Sequence, residues 1–246
     1  MRVRFLGTGA SGGTAGRGRS RRRESSALVT HGRTRVLLDA TRDFHEQQAD
    51  VPGSLDAVLL THAHRDACGG LPTLREWHEH GTRDGSVPVY ASNATIAAVR
   101  RRLRGVEQCE FVAVRPRQRR RIGALTVTPL TVPHARERWA PTFAWRLATG
   151  GRRLVYASDV ARLTPELRRF AEEATLLVID GAMWGRQLFS HLTIDRELPK
   201  LCAWRVKRIL LTQIGSTAPR HERFAQEVSA LCPRAAPAYD GLEVTL

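Results

Sequence analysis

Three residues that could bind a metal ion stand at alternate positions in one short segment: His62, His64 and Asp66. They follow the apolar run Ala57–Thr61, which predicts a buried strand. Because alternate residues of an extended segment point to the same side, the two imidazoles can face one ion. Imidazole nitrogen suits zinc and related divalent ions, and a carboxylate two residues later can reach the same ion or a neighbouring one. A polar loop without a ligand is the alternative, but the position directly after a strand favours a metal site.

Three further polar side chains stand just past the ends of predicted strands, namely His134, Asp159 and Gln213. Taken singly, His134 could be a capped loop histidine and Asp159 a turn residue. Together they place ligand-capable groups where α/β and sandwich folds commonly build their sites. Their shared placement therefore favours a single site that joins them to the segment with the two histidines.

Short β-type runs and helix-like segments predict the elements that position these groups. The predicted strands are Val3–Leu6, Ala27–Thr30, Arg35–Leu38, Ala57–Thr61, Val87–Tyr90, Leu125–Val132, Phe143–Leu147, Leu154–Ala157, Leu176–Ile179, Ile209–Thr212 and Leu242–Leu246. The predicted helices are Leu71–His80, Asn93–Leu103, Pro165–Ala174, Ile194–Cys202 and Pro219–Leu231. Asn93 and Thr164 are typical N-cap residues. The pattern predicts one α/β domain over residues 1–246, with two packed sheets and helices outside, rather than one doubly wound sheet.

The composition is that of a globular protein. Of the 246 residues, 42% are hydrophobic and 26% are charged, which excludes disorder as the main state. The longest apolar runs are far too short to cross a bilayer, so we expect no membrane association. Four cysteines stand far apart without a CxxC pair. This spacing argues against a disulfide scaffold and a zinc ribbon, and it favours a reducing cytoplasm.

The formal net charge is +15, and it comes almost entirely from arginine, because Lys200 and Lys207 are the only lysines. Arginine clusters at Arg17–Arg23, Arg100–Arg104 and Arg115–Arg121. One interpretation is a solvated surface, and the other is attraction of phosphate-bearing partners, nucleic acid included. No aromatic RNA-binding signature accompanies the clusters, so charge alone does not indicate a nucleic-acid-binding protein.

A glycine-rich segment near the start of the chain leads into the first arginine cluster. Gly7, Gly9 and Gly12 match the spacing GxGxxG, but no helix is predicted after them, so the pattern is weak evidence for a dinucleotide site. We expect Gly12–Arg23 to form a mobile loop. This region either supports the site or approaches a phosphate through backbone N–H groups.

Taken together, these motifs resemble the metallo-β-lactamase superfamily, and within it the PhnP-like phosphodiesterase branch and, more distantly, RNase Z. The segments that carry the resemblance are residues 5–13, Arg22-Arg23 with Ser25-Ser26, Leu38-Asp39 with Asp43-Phe44, His62–Asp66, His134, Ser158-Asp159 and Ser190–Thr193. The resemblance implies a four-layer αββα sandwich of two mixed sheets, with a metal site at one rim.

The resemblance also implies roles for individual positions. His62, His64 and His134 correspond to the histidines of the first metal site, Asp159 to the carboxylate that bridges two metals, and Asp66 to the carboxylate of the second site.

Two positions depart from the family pattern. Ala67 stands where the motif has a further histidine, and Gln213 stands where the last strand is followed by histidine. Both departures fall on the second metal.

The departures leave the second ion with an oxygen-only set, made of Asp66, the shared Asp159 and the amide oxygen of Gln213. Such a set suits manganese or magnesium better than zinc. We therefore expect zinc or manganese as the cofactor, with one firmly bound ion and a second that is weak or absent. Three outcomes stay open. They are a single-metal hydrolase in which Asp66 holds or deprotonates the nucleophilic water, a site with one firm and one exchangeable ion, and a fold that has lost catalysis.

His191 is the second predicted catalytic residue beside Asp66. In the phosphodiesterases that the sequence resembles, the corresponding histidine lies over the metals and assists hydrolysis. A phosphodiester needs its leaving alkoxide protonated, and histidine is the natural acid near neutral pH. The alternative is a residue at a helix start without a catalytic role.

The leading functional hypothesis is a metal-dependent phosphodiesterase acting on a small or cyclic phosphodiester or a nucleotide. Arginines of Arg17–Arg23 would hold the substrate phosphate. The alternatives are a hydrolase of another ester or a lactone, and a catalytically impaired member that binds nucleotide or nucleic acid. Family resemblance also suggests a homodimer. Asp39, Asp43 and Asp180 are either hydrogen-bond partners of the site's histidines or plain turn residues, and Cys68 is either a small buried residue or a ligand for a soft ion.

Overall fold

The structure, a computed structural model, describes residues 1–80, 86–107, 109–134 and 141–246. Within these residues fourteen strands form two sheets of seven strands each. The strands are β1 (Arg2–Gly7), β2 (Ser26–His31), β3 (Thr34–Leu38), β4 (Ala57–Leu59), β5 (Val89–Ala91), β6 (Phe111–Ala113), β7 (Arg120–Ile122), β8 (Leu125–Val132), β9 (Thr142–Thr149), β10 (Arg152–Ala157), β11 (Leu176–Asp180), β12 (Ile209–Thr212), β13 (Ala235–Pro237) and β14 (Glu243–Thr245).

Both sheets are mixed, and they follow the same plan. The first has the order β14-β1-β2-β3-β4-β5-β6, and its pairs are antiparallel up to β3 and parallel from β3 onward. The second has the order β13-β12-β11-β10-β9-β8-β7, with parallel pairs from β10 to β13 and antiparallel pairs from β7 to β10. Each sheet therefore combines a meander with a parallel half that requires crossover connections.

The helices lie outside the two sheets. They are α1 (Phe44–Gln47), α2 (Arg65–Cys68), α3 (Leu71–His80), α4 (Asn93–Arg102), α5 (Pro165–Ala171), α6 (Ile194–Cys202) and α7 (His221–Leu231). Short 3₁₀ turns occur at Gly18–Ser20 and Gln48–Asp50. None of the described helices has the length and apolar character that crossing a bilayer requires.

Alternation along the strands builds the core in three layers. In β4 the side chain of Leu59 packs between the sheets, while Val58 packs outward beneath the helices of the first sheet. In β11 the side chain of Val178 packs between the sheets, while Leu177 packs outward beneath the helices of the second. Because each strand is apolar on both faces, both sheets are covered on both sides, and the expected αββα sandwich is confirmed.

One of the two predicted N-cap residues is confirmed by the structure, and the other is wrong. Thr164 caps α5, since its side chain accepts a hydrogen bond from the Leu167 N–H at 3.1 Å. The cap of α4 is Ser92 and not Asn93, because the Ser92 hydroxyl accepts from the Thr95 N–H at 3.0 Å. Asn93 is the first helical residue, so the prediction was wrong by one position.

The glycine-rich loop is more closely held than a solvated segment. Thr14 and Arg22 exchange backbone hydrogen bonds of 2.9 and 3.1 Å across it. Arg22 is buried, and its guanidinium donates to the Thr8 hydroxyl and the Ala238 carbonyl. The interpretation of the first arginine cluster as solvated surface is therefore wrong for Arg22.

Candidate metal centre

The site lies where strand ends of both sheets meet. β10, β11 and β12 are parallel neighbours, and β8 runs in the same direction because two antiparallel pairings separate it from β10. Residues directly after these strands therefore lie at one edge of the second sheet. This geometry brings His134, Asp159 and Gln213 together with Asp180, the last residue of β11.

The segment with the two histidines reaches this edge from the first sheet. After β4 the chain continues without regular structure, bends at Ala63 and His64, and enters α2 at Arg65. Two hydrogen bonds tie this segment to β9: the Phe143 N–H donates to the Thr61 carbonyl at 2.8 Å, and the Trp145 indole N–H donates to the Leu60 carbonyl at 2.9 Å. The site is therefore fixed to both sheets.

Three imidazoles converge at the centre. The ring centroids lie 4.6 Å apart for His62 and His64, 5.1 Å for His62 and His134, and 5.5 Å for His64 and His134. One ring nitrogen from each lies within 4.8 Å of the others. One ligand atom from each residue of a second set, made of His134, Asp159 and His191, also lies within 4.8 Å of the others. His134 belongs to both sets, so it is the centre of the cluster.

A hydrogen bond at Nδ1 of His62 fixes the tautomer of this imidazole. The Thr61 hydroxyl donates to Asp39 at 2.9 Å, so it accepts the hydrogen bond from His62 Nδ1 at 2.8 Å. Nδ1 therefore carries the proton, and Nε2 presents a lone pair. Nε2 is buried and has no hydrogen-bond partner among the described residues.

His134 is held in the same tautomer. Its Nδ1 donates to the Ser190 carbonyl at 2.8 Å, which leaves the lone pair on Nε2, 3.9 Å from Asp159 Oδ1. Burial lowers the pKa of His62 to about 4, so this imidazole is neutral at physiological pH. Although burial alone would raise it, the imidazoles around Asp159 lower the pKa of that carboxyl.

The chemistry of these donors fits a divalent cation. The imidazoles of His62 and His134, which present Nε2, form with His64 and the carboxylate of Asp159 a nitrogen-rich set of the kind that zinc prefers. A buried ring nitrogen without a partner is costly, and a bound ion would satisfy it. Cys68 does not contribute, because burial raises the pKa of its thiol to about 12 and the thiol donates to the His64 carbonyl.

Gln213 lies between the two carboxylates of the site. Its side-chain nitrogen donates to Asp159 Oδ1 at 2.9 Å and to Asp66 Oδ2 at 3.3 Å. The sequence predicts that the amide oxygen is a ligand of a second ion, whereas in the structure the amide nitrogen faces the carboxylates. Ala67 is buried in α2 and offers only a methyl group.

His191 lies beside the three histidines, with its ring centroid 4.9 Å from that of His134. Its Nδ1 donates to Asp180 Oδ2 at 2.7 Å. Asp180 is fully buried and also accepts from the N–H groups of Val160 and Ala182. Although burial alone would lower it, the Asp180 carboxylate raises the pKa of His191 to about 9, so this imidazole is protonated at neutral pH.

The structure separates the two interpretations given for each neighbouring carboxylate. Asp180 orients a histidine of the site directly, and Asp39 does so through Thr61. Asp43 instead accepts from the Glu24 N–H at 2.7 Å, beside the start of α1. Thr61 was missed in the sequence, although its position directly before the first histidine is the signal that could have found it.

The glycine-rich segment at the start of the chain, residues 5–13, supports the segment that follows Gln213. The N–H groups of Thr8 and Gly9 donate to the Arg23 carbonyl, and that of Ala10 donates to the Ile214 carbonyl. A Cβ on Gly7 would lie 2.0 Å from the Glu24 carbonyl oxygen, so only glycine fits this close approach. Because these N–H groups are used within the protein, the interpretation as a support holds and the phosphate-binding interpretation fails for them.

A cavity of about 690 Å³ opens between the glycine-rich loop and the segment that follows β12. Its lining includes Ile214, the residue directly after Gln213, and three arginines: Arg17, Arg22 and Arg220. Part of the predicted arginine cluster therefore borders this cavity, whose lining includes none of the site's histidines or carboxylates.

Two curated relatives match most or all of this chain. An octanoyltransferase of Porphyromonas gingivalis is 28% identical over 271 residues, and it covers 100% of this chain. The chain spans only about half of that protein's length, 52%. The coenzyme PQQ synthesis protein B of Xanthomonas axonopodis is 25% identical, and the match covers 93% of this chain and 89% of that protein.

Solved structures share the fold over the whole chain. The Zn²⁺-bound PqqB of Methylobacterium extorquens has a TM-score of 0.85 at 22% identity, with 100% of both chains covered. A diphosphatase from the PhnP family has a TM-score of 0.86 at 22% identity, with 100% of this chain and 97% of the other covered.

The family model described as the beta-lactamase superfamily domain matches residues 34–214, about three quarters of the chain. That range contains every predicted metal ligand together with His191. The chain therefore belongs to the metallo-β-lactamase superfamily.

Proposed function

We propose that this protein is a metal-dependent phosphodiesterase that hydrolyses a small or cyclic phosphodiester or a nucleotide. The observation that carries the proposal is the His191–Asp180 pair beside three convergent imidazoles. An acid placed next to a cation site is what the hydrolysis of a phosphodiester with a poor leaving group requires. The likeness to a diphosphatase from the PhnP family supports a phosphoryl substrate.

His62, His64, His134 and Asp159 would hold the ion. A divalent cation bound there lowers the pKa of a coordinated water to about 7 and polarises a phosphoryl oxygen. The Zn²⁺-bound PqqB supports zinc as the ion. Thr61 and the Ser190 carbonyl keep the Nδ1 protons of His62 and His134 in place, so both rings present Nε2 to the centre.

Asp66 would position the nucleophilic water. Its Oδ2 accepts from Gln213, while its Oδ1 lies 3.9 Å from His62 Nε2 and faces the centre. One oxygen of this carboxylate is thus held by the protein, and the other can accept a hydrogen bond from water. Asp66 would thus hold the water and act as its general base, accepting the proton on Oδ1 as the water attacks phosphorus.

His191 would donate a proton to the leaving oxygen. Asp180 holds Nδ1, so Nε2 is the atom that gives up the proton. Arg17 and Arg220 border the cavity between the glycine-rich loop and the segment after β12, and they would bind the rest of an anionic substrate.

The test compares two phosphodiesters after chelation and after return of Zn²⁺ or Mn²⁺. Bis(p-nitrophenyl) phosphate has a leaving group that needs no proton, and a 2′,3′-cyclic nucleotide has one that does. We expect chelation to abolish both activities. His191→Gln should slow hydrolysis of the cyclic nucleotide about 10²- to 10⁴-fold and affect the p-nitrophenyl ester far less. His31→Gln, at the far end of β2, is the control.

The pH profile gives an independent readout. Because the acid acts only when protonated, the rate with the cyclic nucleotide should fall as pH rises through about 9, the pKa of His191. Asp180→Asn removes the carboxylate that raises this pKa, so the fall should begin at lower pH. Equal effects of His191→Gln on both substrates, or hydrolysis only of a lactone or carboxylic ester, would contradict the proposal.

A further inference from the structure

We infer that Gln213 takes the place of the second cation, so that this centre binds one metal ion and is closed to another. The inference rests on the metal centre of the proposed function and specifies its metal content. It is carried by hydrogen bonds of this chain, and it opposes the expectation from sequence that the amide oxygen serves as a ligand.

The orientation of the amide follows from its partners. Asp159 Oδ1 and Asp66 Oδ2 both belong to carboxylates, which only accept hydrogen bonds when ionised. The NH₂ group has two hydrogens, and it lies 2.9 and 3.3 Å from these two oxygens. One neutral group therefore does what a second cation would do, which is to hold two negatively charged side chains close together.

Gln213 is fixed in this place by its own backbone. It is buried, and its φ of +56° lies in the left-handed region, which residues other than glycine adopt infrequently. Its N–H donates to the Ser25 hydroxyl at 2.7 Å, and that hydroxyl in turn contacts Thr212 and the Gly9 carbonyl. The loop of the first sheet thus locks the residue in position.

A second ion would have to displace this arrangement. The amide would have to turn over, losing both donated bonds, before its oxygen could reach an ion. Ala67 supplies no imidazole in compensation. The remaining donors would all be oxygen atoms, a weak set for zinc.

The test counts metal ions per chain. Wild type, Gln213→Glu and Gln213→His are each equilibrated with excess Zn²⁺ or Mn²⁺, dialysed, and analysed by elemental mass spectrometry. We expect one ion in the wild type and two in both variants. Gln226→Glu is the matched control, because it adds the same charge on the exposed face of α7 and should keep one ion.

The wild-type protein alone also decides the question. Exchange-coupled Mn²⁺ pairs in its electron paramagnetic resonance spectrum, or two retained zinc ions, would overturn the inference even if the variants fail to fold. So would a single ion in folded Gln213→Glu and Gln213→His. One ion without phosphodiester hydrolysis would refute the proposed function alone, two ions with hydrolysis would refute only this inference, and no bound ion would refute both.

Discussion

At the scale of single residues, the site depends on which nitrogen of each histidine carries the proton. His62 and His134 both use Nδ1 to donate, one to a hydroxyl and the other to a backbone carbonyl. Partners of this kind raise the basicity of the opposite nitrogen and fix the orientation of the ring. Ligand strength here is therefore set by groups that would never touch the ion.

Thr61 offers a direct test of this dependence. Thr61→Val keeps the shape of the side chain but removes the hydroxyl that joins His62 to Asp39. We expect the affinity for Zn²⁺ to fall about 10- to 100-fold, because His62 loses its fixed tautomer. Competition with a chromophoric chelator measures the change, and Thr61→Ser should restore most of it. Equal affinities for the Val and Ser variants would show that the hydroxyl has no such role.

The sequence predicts the ligand residues because metal chemistry restricts which residue types can bind an ion. It could not choose between the two roles of Asp180, since that choice depends on whether a residue eleven positions later folds back onto the carboxylate. The orientation of the Gln213 amide cannot be predicted from the sequence either, because it depends on Asp66 and Asp159, which are distant in the chain.

At the scale of elements, the long strands and helices were predicted, and so were the three-residue strands β4, β5 and β14, whereas β6, β7 and β13 were missed. The continuous apolar run Leu176–Ile179 identifies β11, both faces of which are buried, and the alternation of apolar residues with threonine identifies β8. β6, β7 and β13 have only three residues each, too few to establish a period. β13 also contains Pro237, which a strand tolerates at the edge of a sheet, where β13 lies.

The corrected cap of α4 gives a prediction at this scale. Ser92→Ala removes the acceptor for the Thr95 N–H and should lower the free energy of unfolding by about 1 kcal/mol. Asn93→Ala is the matched control and should change it by much less, because that residue is already helical. Urea denaturation followed by circular dichroism measures both. A larger loss for the Asn93 variant would contradict the assignment of the cap.

At the scale of the whole molecule, both sheets contribute residues to the site. The second sheet supplies His134, Asp159 and Gln213, whereas the first supplies His62 and His64 through the loop after β4. Predicting that these groups meet required the fold, and the fold came from the resemblance together with the αββα pattern of elements. The arginine-lined cavity could not be predicted, because its walls come from residues 14–22 and 214–222.

The cavity can be tested through substrate binding. Arg220→Ala removes a positive charge from its wall and should raise KM several-fold for a nucleotide while leaving kcat nearly unchanged, since the cavity lining includes none of the site's imidazoles. A phosphodiester without a second anionic group should show little change. Arg223→Ala, an exposed residue of α7 that pairs with Glu227, is the control. A fall in kcat without a change in KM would refute this role for the cavity.

The hydrogen bonds from the Gln213 amide to Asp66 and Asp159 also determine how activity depends on the concentration of metal ion. A centre that needs two ions passes through a half-loaded, idle form, and its rate rises sigmoidally with the supply of metal. With Gln213 in place of the second ion, loading is a single step, and the rate should follow a simple hyperbola. Well below saturation, the rate would therefore rise in direct proportion to the concentration of free metal ion.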